Sequence, residues 1–265
     1  MDAATLAQVA NPRVVLFMFH DRVAFGGSLI AIGTGYWWLV EFPLRSGEAW
    51  AWWTLALSGA CGFLSFLAYL GYGYLDSWHA VATLLLLPVY FIGLWRARGR
   101  LIEPATFSSM WTPPPRSDTR SAAVGRALLF TCGLGLAAAG LTILVVGMTF
   151  VFVPQDLAFM GLAPDQLRTL SPLLIPLIAH DRAGFGGGLF SVGLLLILMM
   201  RHAPITRSLV ELIFVMGFAG FGAALGVHFT IGYTDMLHLS PAYLGCALFA
   251  AGATLIAAGR QPASP

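Results

Sequence analysis

His20-Asp21-Arg22-Val23-Ala24-Phe25-Gly26-Gly27-Ser28-Leu29-Ile30-Ala31-Ile32-Gly33 returns 160 residues later as His180-Asp181-Arg182-Ala183-Gly184-Phe185-Gly186-Gly187-Gly188-Leu189-Phe190-Ser191-Val192-Gly193. The shared pattern is H-D-R-x-x-F-G-G-x-L-x-x-x-G. A second pair follows it: Gly73-Tyr74-x-Asp76-x-x-His79 returns as Gly232-Tyr233-x-Asp235-x-x-His238, offset by 159. The chain therefore reads as two copies of one unit. Each copy carries two His and two Asp in surroundings that are otherwise apolar.

Those surroundings set the fold class. Of 265 residues, 58% are hydrophobic and 10% charged, against about 25% charged in a soluble domain. Mean hydropathy is +0.80. A transmembrane helix needs roughly 20 apolar residues, and seven segments qualify, near 22–41, 52–72, 79–96, 127–153, 182–200, 208–231 and 239–258. The expectation is an all-α polytopic integral membrane protein. Its seven transmembrane helices form a duplicated 3+1+3 bundle with parallel pseudo-two-fold repeats. Residues 1–100 form the first repeat, with a short lead-in helix before its spans. Residues 101–125, with Pro113-Pro114-Pro115, form an exposed linker. Residues 126–170 hold the extra crossing and an outer connection, and 171–265 hold the second repeat and its own lead-in.

Charge orients the bundle. All fourteen cations are Arg. Ten fall at the ends opposite the His-Asp stretches, and only Arg13, Arg22, Arg168 and Arg182 lie beside them. Positive residues favour the cytoplasm. The N-terminus is expected outside and the C-terminus inside, in a cell membrane, with the His-Asp end facing outward. A net charge of +2 carries no nucleic-acid footprint. The partner implied is the lipid bilayer, with room for membrane subunits or a homo-oligomer. Cys61, Cys132 and Cys246 sit in apolar runs and read as small buried hydrophobes.

The polar residues are the candidate site. Asp and His at i and i+3 share a helical face. Imidazole and carboxylate together suit Fe, Cu or Zn. The expected ligands are His20, His79, His180 and His238, with Asp76 and Asp235. Asp21, Asp181, Arg22 and Arg182 support them by orienting imidazoles or balancing charge. His228, Tyr74 and Tyr233 are candidates for holding a cofactor. His228 has Tyr69 as its counterpart, so it breaks the internal symmetry. Paired with another imidazole it is the candidate for non-covalent haem, as there is no C-x-x-C-H. His202, beside Arg201, reads as solvated. The function these residues suggest is a metal- or redox-cofactor-binding membrane protein, an oxidoreductase or its cofactor-carrying subunit. One rival is an ion- or proton-coupled transporter or channel. Another is a non-catalytic subunit whose acids cap helix N-termini and whose polar pairs fasten helices.

Overall fold

In the computed structural model, residues 11–68, 77–116 and 118–260 are described, apart from the side chains of Phe66, Ala68 and His79. They form helices and no strands: α1 (Pro12–Leu39), α2 (Ala49–Ala68), α3 (Ser77–Arg98), α4 (Phe107–Trp111), α5 (Arg120–Met148), α6 (Pro154–Met160), α7 (Pro164–Leu170), α8 (Leu174–His202), α9 (Arg207–Ile231) and α10 (Met236–Gly259). A π-turn at Val40–Leu44 extends α1; Pro43, which has no N–H to donate, lies within it. Six helical stretches are long and apolar enough to cross a membrane: Pro12–Leu44, Ala80–Arg98, Arg120–Met148, Leu174–His202, Arg207–Ile231 and Met236–Gly259. The segment expected at 52–72 falls partly on α2 and partly outside the described residues.

Helix α8 runs through the middle, packed by α5, α2 and α1. It can be central because its backbone is bare where neighbours cross. A Cβ on Gly186 would stand 2.7 Å from the carbonyl oxygen of Gly140, and one on Gly193 2.7 Å from that of Gly133. Glycines spaced seven residues apart on α5 thus meet glycines spaced seven apart on α8, and the two antiparallel backbones touch. One turn-pair further along α5, Gly147 makes room for the Cβ of Arg182. The close packing that makes α8 central also carries Arg182 into the interior.

Two expectations about α1 and α8 change. The lead-ins are the opening turns of these helices, not separate elements: Asn11 caps α1 and Pro12 takes its first position, where a missing N–H costs nothing. Consequently Asp21 and Asp181 lie well inside helices and cap nothing. Each is neutralised instead by an arginine of the other stretch, so the polar triplet does not interrupt the helix. Between α5 and α8, α6 folds over the start of α1 and α7 packs on α8, and Asn11 Nδ2 donates to Met160 O at 3.2 Å. Val14, Phe17, Phe152, Met160, Leu167, Leu174, Ile178 and Tyr233 make a small apolar cluster there, apart from the larger core.

At the other end, residues 101–125 contain α4 and the start of α5 and are tied to the bundle. Met110 is buried, and Trp53 Nε1 donates to Thr106 O at 2.9 Å. His202 is not solvated: it is buried, stacks on Trp50 at 5.5 Å, and its Nε2 donates to Met110 O at 2.7 Å. A flat imidazole with one fixed acceptor fills an interior slot as an aromatic ring would.

Candidate metal centre

The motif Gly232-Tyr233-x-Asp235-x-x-His238 is a helix stop followed at once by a helix start. Gly232 takes a left-handed φ of 74°, and its N–H caps α9 on Phe229 O. Tyr233 N–H returns to His228 O at 3.0 Å; this paired closure is the Schellman arrangement, which favours glycine at that position. Asp235 then caps α10, accepting from His238 N at 2.8 Å. The reversal folds Tyr233 inward and sets His238 in the first turn of α10, facing the last turn of α9.

Three imidazoles meet there. One nitrogen from each of His20, His228 and His238 lies within 4.8 Å of the other two. The ring centroids of His20 and His228 are 5.0 Å apart, and those of His228 and His238 5.4 Å. His20 and His228 are buried and His238 half-buried. Each ring commits its Nδ1. His20 Nδ1 donates to Phe17 O, and His228 Nδ1 to Ala224 O at 2.6 Å. His238 Nδ1 donates to Tyr233 Oη at 3.2 Å, because that hydroxyl spends its proton on Asp156 Oδ1 at 2.8 Å. A ring whose proton sits on Nδ1 keeps a lone pair on Nε2 for a ligand. His228 Nε2 is buried without a hydrogen-bond partner among the described residues. Asp21 Oδ1 approaches His20 Nε2 to 3.4 Å.

Asp156 organises the surroundings. Its carboxylate is fully buried. Oδ2 accepts from Val153 N at 2.8 Å and pairs with Arg182 Nη2 at 2.7 Å, while Oδ1 takes the Tyr233 proton. The Tyr233 pKa is raised, by burial first and by the Asp156 carboxylate next, so the phenol stays neutral and remains a donor. Arg182 also donates to Val151 O at 2.6 Å, faces Asp21 at 3.5 Å, and lies over the Phe17 ring. Val151 holds a left-handed φ of 66°, a strained state for a β-branched residue. Arg22 answers from the other stretch with Asp181 at 2.8 Å. With the imidazoles neutral, Asp21, Asp156 and Asp181 outnumber Arg22 and Arg182 by one. The pocket around the histidines is therefore net negative and suited to a cation.

The structure redistributes the candidates. His20 and His238 come together, and His228 joins them. His180 is buried elsewhere, its Nδ1 3.1 Å from Asp181 Oδ1. Asp235 is exposed and serves as a cap. Asp76 and Tyr74 lie outside the described residues, as does the His79 side chain. Asp156 escaped sequence reading: proline then acid at a helix start is an ordinary signal, and nothing in it foretells complete burial.

The geometry bears on one of the pairings that haem would need. His20 and His228 pack edge to face, and a macrocycle cannot lie between rings already in contact. A lone ion can sit there. Ligand nitrogens on one ion stand roughly 3–4 Å apart, so loading would draw the rings slightly inward.

The described residues are thus all-helical, with membrane-length apolar helices and a largely buried trihistidine group that could hold a metal. Comparisons with family models, with curated proteins and with solved structures find no match.

Proposed function

We propose that this is a seven-span membrane protein in which His20, His228 and His238 bind one divalent transition-metal ion through Nε2. The carrying observation is that all three Nδ1 atoms are committed elsewhere while one nitrogen of each ring falls within a common 4.8 Å. Three neutral nitrogen donors beside a buried carboxylate–phenol pair suit zinc, copper or iron. Such outer partners fix ring orientation and raise ligand basicity. With copper or iron bound, the protein would be a membrane oxidoreductase or its cofactor-carrying subunit.

In the same reading, α1–α3 and α8–α10 are the two parallel repeats, and α5 is the extra crossing. The reciprocal pairs Arg22–Asp181 and Arg182–Asp21 support the two-fold relation. The arginine-rich end is cytoplasmic, and the histidines lie near the outer rim of a cell membrane. Helix α1 with its π-turn spans 33 residues, about 50 Å, against a hydrocarbon core of about 30 Å. Its first turns, and His20 some 12 Å along, therefore reach the boundary.

The fastening role has its own support, because both arginine–aspartate pairs join α1 to α8. It explains the Asp-Arg half of each stretch and leaves the three imidazoles unexplained. Metal analysis and an absorption spectrum of detergent-purified protein, prepared without chelator, separate the two. We expect one ion per chain, lost in His228→Ala and His238→Ala and kept in Arg22→Gln. Metal-free protein after reloading with zinc, copper and iron would remove the metal reading.

A further inference from the structure

The opposite end of the bundle carries a second charged group. Arg126, at the start of α5, is buried and uses its donors internally: Nε on Asp118 Oδ2 at 2.9 Å, and Nη1 on the carbonyls of Met200 and Ala203 at 2.9 and 3.0 Å. It closes the C-terminus of α8 and needs nothing more. Two further arginines gather on the same turn. Arg116 Nη1 donates to the same Met200 carbonyl at 3.3 Å. Arg201 Nε and Nη2 donate to Trp111 O at 2.9 and 2.6 Å, and its guanidinium lies over the Trp111 ring. Arg116 is exposed and Arg201 half-buried. Capping α8 required one guanidinium, and three are present with Asp118 as the carboxylate paired among them, an excess of two positive charges. The Arg116 pKa is pulled down, by loss of water around part of the guanidinium first and by repulsion from Arg126 next, with Asp118 opposing. Beside them, Phe107 and Trp111 of α4 are exposed, as is Ile102. Aromatic side chains at that position suit a lipid boundary.

We propose that Arg116 and Arg201, anchored on the carbonyls of Met200 and Trp111 and flanked by α4, bind the phosphate of an anionic phospholipid. The site differs from the metal centre in residues and in location, at the other end of α8. Guanidinium forks match phosphate oxygens, and basic pockets between membrane helices hold acidic headgroups. The exposed aromatic rings of α4 then lie against the acyl chains of the same lipid. Two guanidiniums gathered at the last turn of α8 gain a counter-charge that the described residues do not supply.

The test uses the full chain in nanodiscs of phosphatidylcholine, with and without a minority of phosphatidylglycerol. Native mass spectrometry reads the lipid retained, and thermal unfolding reads stabilisation. We expect phosphatidylglycerol to be retained several-fold over its share of the mixture and to raise the Tm. Both effects should vanish in R116Q/R201Q and persist in Arg207→Gln, whose arginine pairs with Glu211 elsewhere on that end. If the double variant does not fold, Arg116→Gln alone, which gives up one long hydrogen bond, should halve the retention or better. Equal retention of the two lipids would overturn the proposal. So would unchanged phosphatidylglycerol retention in the variants. Equal stabilisation by inorganic phosphate in detergent would also overturn it, in favour of a free-anion site.

Discussion

Tyr233 donates its phenolic proton to Asp156 at 2.8 Å, and this bond links the reversal between α9 and α10 to the connection between α5 and α8. With its proton directed there, the phenol oxygen accepts from His238. Tyr233→Phe removes both bonds with little change of shape. Metal affinity should fall roughly 10–100-fold, read by competition with a chromophoric chelator. An unchanged affinity would mean that His238 needs no orienting partner.

The same phenol has a pH signature. Its pKa is raised in the folded protein, so folding favours the protonated form. Its contribution is complete below the unfolded value of about 10 and is lost as pH rises above it. Thermal stability measured from neutral to strongly alkaline pH should decline less steeply in Tyr233→Phe than in the parent. Parallel slopes would show the phenol titrating normally.

Arg182 and Arg22 should differ sharply although they occupy equivalent places in their stretches. Arg182 is buried between Asp21 and Asp156, so Arg182→Gln strands two interior carboxylates, a loss of roughly 3–5 kcal/mol. The Arg22 side chain is 51% exposed, so water screens its pair, and Arg22→Gln strands only one carboxylate, that of Asp181 at 9% exposure. Thermal inactivation half-lives in detergent should be much shorter for the first variant and only moderately shortened for the second.

Gly140→Leu should break the α5–α8 contact. Even a Cβ at this position would sit 2.6 Å from Gly186 O and 2.8 Å from Phe190 Cα, both backbone atoms unable to step aside. Gly26→Ala meets nothing within 4 Å and should be neutral or slightly stabilising. Yield of monodisperse protein from detergent checks the pair.

Much of this was legible in the residues. Apolar length located six membrane-scale helices, because hydrocarbon leaves a backbone no partner but itself, but α1, α5 and α8 begin about seven to ten residues before the segments expected from it. The two repeated motifs marked where polar chemistry gathers, since ionisable groups near a bilayer are costly to keep. The lead-ins misled because a polar His-Asp-Arg triplet looks like a helix boundary. Its charges are neutralised across the α1–α8 contact, which no local window contains. His202 misled likewise: a neighbouring Arg201 suggests water, yet Trp50 and Met110 come from distant segments to enclose the ring.

By itself the sequence determined a helical, lipid-solvated chain and the neighbourhood of its polar groups, since hydropathy and spacing are local properties. The tertiary structure decided which imidazoles meet. His228 joins His20 and His238 because Gly232 turns the chain back on itself and α9 packs along α1. Asp156 enters because α6 folds over the start of α1 towards Arg182, where Gly147 leaves space. Such meetings depend on backbone approach between segments far apart in the chain, and single-residue chemistry does not encode that distance.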